Sequence, residues 1–260
     1  TKAIIIQNTF GRNGIKEEDY KNLSKNDIII IEDNCLSEGS KLNGKDLGLR
    51  GDFNVSSLEV SKSFCLGWGG IVRVNNKSHA KKLKNYCSKL KPLPVLLDIR
   101  NLLQLWVSLL LLRFPFFGGF IIWYFLYGSR LFRISSREDY VLKGNYLLMG
   151  KLSKAIFKNF KLYLPYLIQK SNINYLILQN YMISLGIIPL IIQEKNELIV
   201  SPKIPFCVPT KNIKEIERYA RLNKIDIDRW FLNSPPTSNL ESCKVYSSEI
   251  ASTISIDSLL

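Results

Sequence analysis

The hydrophobic positions near the start of the chain come in short, dense runs rather than at helical spacing. Ala3 to Ile6 is one such run, and Asp27-Ile28-Ile29-Ile30-Ile31-Glu32-Asp33 is a stronger one, with four consecutive β-branched residues ending in two carboxylates. A segment apolar on both faces belongs inside a covered parallel sheet. Glu17 to Leu23, between the two runs, is polar and helix-permissive, so strand, helix, strand is the economical reading, a βαβ unit. Asp33 then falls at the carboxyl end of a strand, where open α/β sheets place their ligands.

Asp52 to Leu58 and Ile71 to Val74 predict two more strands, separated by a loop that carries Lys62, Gly67, Gly69 and Gly70. Lys77 to Leu90 predicts a basic helix. From Gly144, apolar residues at Leu147, Leu152, Ile156, Phe160 and Leu164 keep three-to-four spacing and predict a long amphipathic helix, with a second over Ile173 to Ser184. The tail reads as a small α/β domain: strands near Ile188 to Ile192 and Glu197 to Val200, a helix over Asn212 to Leu222, a strand near Ile227 to Phe231 and a last helix from Ser248. The expected division is 1–100 as part of a large α/β domain, 101–143 as an apolar helical insertion, and 144–260 as the long helix with a C-terminal small domain.

Leu102 to Tyr127 has only Gln104, Ser108 and Arg113 as clearly polar positions. Arg113 and Pro115 divide it into pieces too short to cross a bilayer alone. Arg100, Arg130, Arg133 and Arg137 flank it, so a hairpin lying in the interface of an anionic leaflet is one reading. Helices buried against the rest of the protein or a partner subunit are the other.

Composition narrows the class. At 260 residues and 46% hydrophobic the chain can bury a real core, which excludes wholesale disorder and small disulfide-stapled folds. The 36 Lys+Arg against 22 Asp+Glu leave +14, pointing to an anionic partner: a phosphorylated ligand, an acidic membrane or nucleic acid. Nucleic acid ranks last, because Lys77, Lys81, Lys82, Lys84, Lys89 and Lys91 read as a solvated helix face and no reader motif accompanies them. Five scattered cysteines without a CxxC pair fit reduced thiols and a cytoplasmic setting. The chain opens on Thr1 rather than Met, so a piece of something longer is expected.

Candidate chemistry rests on Asp33, Ser57, Lys62 and Gly67-Trp68-Gly69-Gly70 taken together. A lysine that forms a Schiff base must be held in place, and neighbouring glycines let backbone approach a bulky cofactor. A carboxylate beside a pyridine nitrogen keeps that nitrogen protonated, and a hydroxyl just before the loop could donate to a phosphate. Singly, each has a plainer reading as a surface lysine, a helix cap or a turn.

The order Glu32-Asp33, Gly39-Ser40-Lys41-Leu42-Asn43-Gly44-Lys45-Asp46-Leu47-Gly48, Gly51-Asp52, Ser57 and Lys62-x4-Gly67-x-Gly69-Gly70 resembles the middle of the DegT/DnrJ/StrS-type sugar aminotransferases, over about the first 90 residues. The resemblance implies an α/β fold, the fold type I of enzymes that use pyridoxal 5'-phosphate. It implies Lys62 as the covalent carrier of the cofactor and the proton shuttle, Asp33 on the pyridine nitrogen and Ser57 on the phosphate. The substrates implied are a nucleotide-linked keto sugar and an amino-acid amino donor, in a cytoplasmic homodimer. In that family the phosphate-cradling Gly/Thr loop and the aromatic residue stacked on the ring lie upstream of where Thr1 stands. Leu36 replaces the usual glutamine three residues after the aspartate. Tyr146-Leu147-Leu148-Met149 stands where the family has Asn-Tyr-Arg-Met. These departures, with the apolar block, motivate the alternative of a catalytically degenerate, membrane-associated or regulatory member of the fold.

Overall fold

The computed structural model describes residues 1–59, 61–113, 146–207, 213–222 and 258–259. The expected strand near Ile227 to Phe231 and the span from Phe114 to Tyr127 lie outside them. So does the expected helix from Ser248, apart from Ser258 and Leu259.

Strands β1 (Ala3–Gln7), β2 (Ile29–Asp33), β5 (Phe53–Ser57) and β6 (Gly70–Val74) form one sheet in the order β1-β2-β5-β6. β1 pairs parallel with β2 and β2 with β5, whereas β6 returns antiparallel to β5. The sheet is therefore mixed. Helix α1 (Glu17–Lys25) joins β1 to β2 and buries Tyr20 with Ile6 and Ile30, flanked by Ile4, Ile15 and Leu23. Its first turn carries Glu17, Glu18 and Asp19 and its last turn Lys25, each sign set against the opposite end of the helix dipole. Two residues each form the hairpin β3 (Lys41–Leu42) and β4 (Lys45–Asp46), which turns through Asn43 and Gly44 at φ 50 and 74.

Strand alternation sorts the sheet into two unlike faces. Ile6, Ile30, Glu32, Asn54 and Ser56 share the buried face under α1. Asp33, Val55 and Ser57 share the other with Ile5, Ile31 and Val72, and there Ile5 is 68% and Val72 50% exposed. The isoleucine run thus makes an inner strand, as expected, but only one of its faces is fully covered. Helix α2 (Lys77–Cys87), capped by Asn76, sets His79 against Phe53 at 5.3 Å between ring centroids. His79 Nε2 also lies 3.9 Å from Asp52 Oδ1, a packing position rather than a catalytic one.

The strand β7 (Lys91–Pro92) leads into α3 (Val95–Arg113) and pairs with β8 (Leu147–Leu148), which leads into α4 (Lys151–Ser184). α4 is one helix where the spacing predicts two. Its interior Pro165 loses a backbone hydrogen bond, at about 3 kcal/mol. Contacts on either side offset that cost: Phe160 meets Phe64 edge-on at 6.4 Å, and Asn172 donates to the Ile199 carbonyl at 3.0 Å. Gly39 leaves room for Ile168, whose side chain would stand 2.9 Å from an added Cβ. The strand expected at Glu197 to Val200 is also a correction, since only Leu198 bridges, to Lys41, while the Ser40 hydroxyl takes the ladder's place at Val200, accepting from its N–H at 2.8 Å.

The N-terminus of α4 is held by a carboxylate from α3. Asp98, fully buried, accepts from the Leu152 N–H at 2.9 Å, from the Ser153 N–H at 3.4 Å and from the Ser153 hydroxyl. Gly150 is obligatory beside it, because a Cβ there would stand 2.0 Å from Asp98 Oδ2. Asp98→Ala strands buried helix-end donors and is expected to cost about 1–3 kcal/mol. Urea unfolding of the two proteins measures it, and a change below about 0.5 kcal/mol contradicts the assignment.

Two compact units result. Among the described residues the first takes 1–113, 146–174 and 194–202, and the second takes 175–193 and those from 203 onward. In the second, Tyr175 donates to the Ile191 carbonyl at 3.0 Å and the Gln179 side chain accepts from the Gln193 N–H at 2.7 Å. Its strand β9 (Phe206–Cys207) pairs antiparallel with β10 (Ser258–Leu259), so the expected closing helix does not extend to those two residues. The strand expected over Ile188 to Ile192 reduces to a single bridge from Pro189 to Phe206, Pro189 having no N–H to donate. Helix α5 (Ile213–Leu222) falls where the sequence predicts it.

Candidate active site at the carboxyl edge of the sheet

Asp33 ends β2 and Ser57 ends β5 on the same face of the sheet, since Asp33 stands in register with Val55, two residues before Ser57. The chain leaving β2 is tied on both sides. The Asn8 N–H donates to the Asp33 carbonyl at 2.8 Å, the Asn34 N–H to the Val55 carbonyl at 2.8 Å, and the Ser37 hydroxyl to the Asn8 carbonyl at 2.7 Å. The Asp33 carboxylate accepts from the Cys35 N–H at 3.0 Å, which fixes it at the strand end.

Lys62 comes from the loop after β5. That loop is closed at its base, where the Leu58 N–H donates to the Gly69 carbonyl and the Leu66 N–H to the Leu58 carbonyl, both at 2.9 Å. Phe64 and Leu66 anchor it in the core. A turn in which the Lys62 N–H donates to the Glu59 carbonyl at 3.0 Å sets the lysine backbone, and Ser57 Oγ accepts from the Glu59 N–H at 3.3 Å. Among the described residues no acceptor takes the Ser57 hydroxyl proton. Neighbouring Ser56, on the opposite face, instead donates to Glu38, which also accepts from Arg73 at 3.2 Å.

The residue that reports on the assembly is Cys35. Burial pushes its thiol up to about 12, helped by a hydrogen bond to Asp33 and that residue's charge, while the Lys62 ammonium pulls in the other direction. The thiol stays protonated at neutral pH, and Lys62 beyond it is half-buried. Among the described residues Lys62 makes no ion pair.

Two of the loop's glycines lie against protein backbone. A Cβ on Gly67, at φ 90, would lie 2.9 Å from the Asn101 carbonyl oxygen of α3, and one on Gly70 would lie 2.8 Å from the Ser56 carbonyl oxygen. Both let protein backbone approach. Trp68 Nε1 donates to the buried Gln104 of α3 at 3.1 Å, completing that contact.

Glu32, the neighbour of Asp33 on β2, faces the opposite side of the sheet. Fully buried, it accepts from Arg50 N and Gly51 N at 2.7 Å each, Asn8 Nδ2 at 3.0 Å, Tyr20 OH at 3.1 Å and Gly48 N at 3.2 Å. Period-two alternation was the available signal: of two adjacent carboxylates on a strand, one must face the helix-covered side. Leu36, at the family's glutamine position, is likewise buried.

The donor set fits pyridoxal 5'-phosphate. The carboxylate of Asp33 and the hydroxyl of Ser57 stand at neighbouring strand ends on one face, the amine of Lys62, without an acidic partner among the described residues, belongs to the loop after β5, and these are the kinds of group that the ring and its phosphate require.

Residues 1–90 match the model of the DegT/DnrJ/EryC1/StrS aminotransferase family. The uncharacterized protein MJ1066 of Methanocaldococcus jannaschii is 33% identical over 84 residues, 32% of this chain and 22% of that protein. Among solved structures, Helicobacter pylori PseC, an aminotransferase involved in the biosynthesis of pseudoaminic acid, superposes with a TM-score of 0.65 at 17% identity, covering 100% of this chain and 60% of that one. A DegT DnrJ EryC1 StrS aminotransferase from Brucella abortus gives 0.64 at 13% identity, covering 99% and 58%. The chain thus spans about three-fifths of those structures. Its fold is theirs, the α/β fold of the pyridoxal-phosphate-dependent aminotransferases.

Proposed function

We propose that the protein, whose residues 1–90 match the model of the DegT/DnrJ/EryC1/StrS aminotransferase family, is a pyridoxal-phosphate-dependent aminotransferase that transfers an amino group from an amino acid to a nucleotide-linked keto sugar. The observation that supports this reading is the placement of Asp33 and Ser57 at the carboxyl ends of β2 and β5 on one face of the sheet, with Lys62 in the closed loop that follows β5.

Asp33 would face the pyridine nitrogen, Ser57 would donate to the phosphate, and Lys62 would hold the cofactor covalently. When bound, the cofactor supplies an electron sink for a carbanion at the amino-bearing carbon. Asp33, fixed by the Cys35 N–H, holds a proton on the ring nitrogen. Lys62, kept in position by the closed loop from Leu58 to Gly69, moves a proton at the reacting carbon. A homodimer in the cytoplasm, with glutamate as donor, is part of the same reading.

Titrating the intact protein with pyridoxal 5'-phosphate tests it. A yellow complex with a visible absorbance band is expected, and glutamate should bleach that band as the amino group passes to the cofactor. Absence of the band ends the enzymatic reading and favours a non-catalytic member of the fold, in keeping with the apolar Leu36.

A further inference from the structure

Helix α3 is turned inside out. Three of its polar residues, Asp98, Gln104 and Ser108, are buried, and Arg100 and Asn101 are half-buried. The first two are committed to protein, Asp98 at the start of α4 and Gln104 at Trp68. Its apolar residues Leu96, Ile99, Leu103, Trp106 and Leu110 face out at alternating three- and four-residue steps, with Leu96 81% and Trp106 66% exposed. A helix that spends its polar side on its own protein and offers a continuous apolar stripe has a partner that accepts apolar surface.

Charge selects the partner. From Lys77 to Arg113 the only carboxylate is Asp98, and it is buried. Over the same stretch Lys77, Lys81, Lys82, Lys84, Lys89 and Lys91 are exposed, four of them on α2, which buries none of its residues. A second copy would bring the same lysines and another +14 against these. An anionic lipid surface complements both features, taking the stripe into the headgroup boundary and the ammonium groups onto its phosphates. A nineteen-residue helix lying flat presents about 28 Å of such a stripe. Among the described residues no helix is long and apolar enough to cross a membrane. We infer that α3 and α2 form a peripheral docking surface for anionic membranes, with Trp106 at its centre.

The full-length protein is mixed with vesicles of phosphatidylcholine alone and with vesicles enriched in phosphatidylglycerol, then sedimented. Binding to the anionic vesicles should exceed binding to the neutral ones by about tenfold or more and weaken as salt is raised. Leu103→Glu with Trp106→Glu should abolish sedimentation. Lys81→Glu with Lys82→Glu, on an exposed helix where the fold has nothing to lose, should weaken it about tenfold with the circular dichroism melt unchanged. Three outcomes overturn the inference: no binding to either vesicle, binding untouched by both variants, or light scattering that shows a lipid-free dimer which the Leu103/Trp106 variant dissociates.

Discussion

Lys62→Ala should leave a folded protein that neither turns yellow with pyridoxal 5'-phosphate nor transfers an amino group. The side chain is half-buried and makes no ion pair among the described residues, so the melting curve should move little, by less than about 1 kcal/mol. The chemical loss is of another order. The variant removes both the amine that would bond the cofactor and the group that would move the proton, and proton transfer alone is worth about 10²–10⁴ in rate. Cys35 cannot substitute, since its thiol, pushed up to about 12, remains protonated at neutral pH. Absorbance spectra of the two proteins at equal cofactor concentration decide the matter, with amino transfer from glutamate as the second readout. A variant that keeps the band and the activity places the chemistry elsewhere.

Glu32→Ala is the substitution expected to damage the fold most. It strips five donors of their acceptor, three of them backbone N–H groups of the segment from Gly48 to Gly51. Leaving such donors buried costs about 3–5 kcal/mol, a large share of the 5–15 kcal/mol that holds a typical domain. Glu32→Gln keeps the shape but turns an amide N–H₂ toward other donors, so it should recover only part of the loss. Urea midpoints for wild type, Glu32→Gln and Glu32→Ala should fall in that order, and equal midpoints refute the role.

Tyr20 supplies a pH signature for the same cluster. Burial raises its phenol above the ordinary tyrosine value, and the charge of Glu32 and its hydrogen bond add to the shift. The native state therefore keeps a proton that the unfolded chain releases. Stability from this group is complete below about pH 10, the unfolded value, and declines as pH climbs from there toward the folded one. In Tyr20→Phe that alkaline decline should be shallower, although the variant starts lower at neutral pH for want of the hydrogen bond.

Much of this was readable along the chain. Four β-branched residues in a row make β2 a strand in almost any context, and lysines without apolar neighbours at helical spacing make α2 a solvated helix. Asp33 at a strand end, Ser57 at another and Lys62 in the loop beyond were all legible, because period two and turn chemistry are local properties. The resemblance that gave these residues roles was legible too, being carried by spacing over the same stretch.

Other features depended on partners distant in sequence. Nothing near Pro165 announces that α4 continues through it; that depends on Phe64, Gly39 and Ile199, brought up from elsewhere in the chain. The work of Asp98 depends on a helix starting more than fifty residues later, and that of Glu32 on donors from three separate segments. Composition shows that α3 is apolar, yet which side it presents was decided by the buried partners of Asp98 and Gln104. Local order follows from backbone sterics and side-chain period, which a sequence carries within a few residues. The placing of a charge or a proline is decided by whether distant groups can meet its desolvation cost, and only the folded chain brings those groups together.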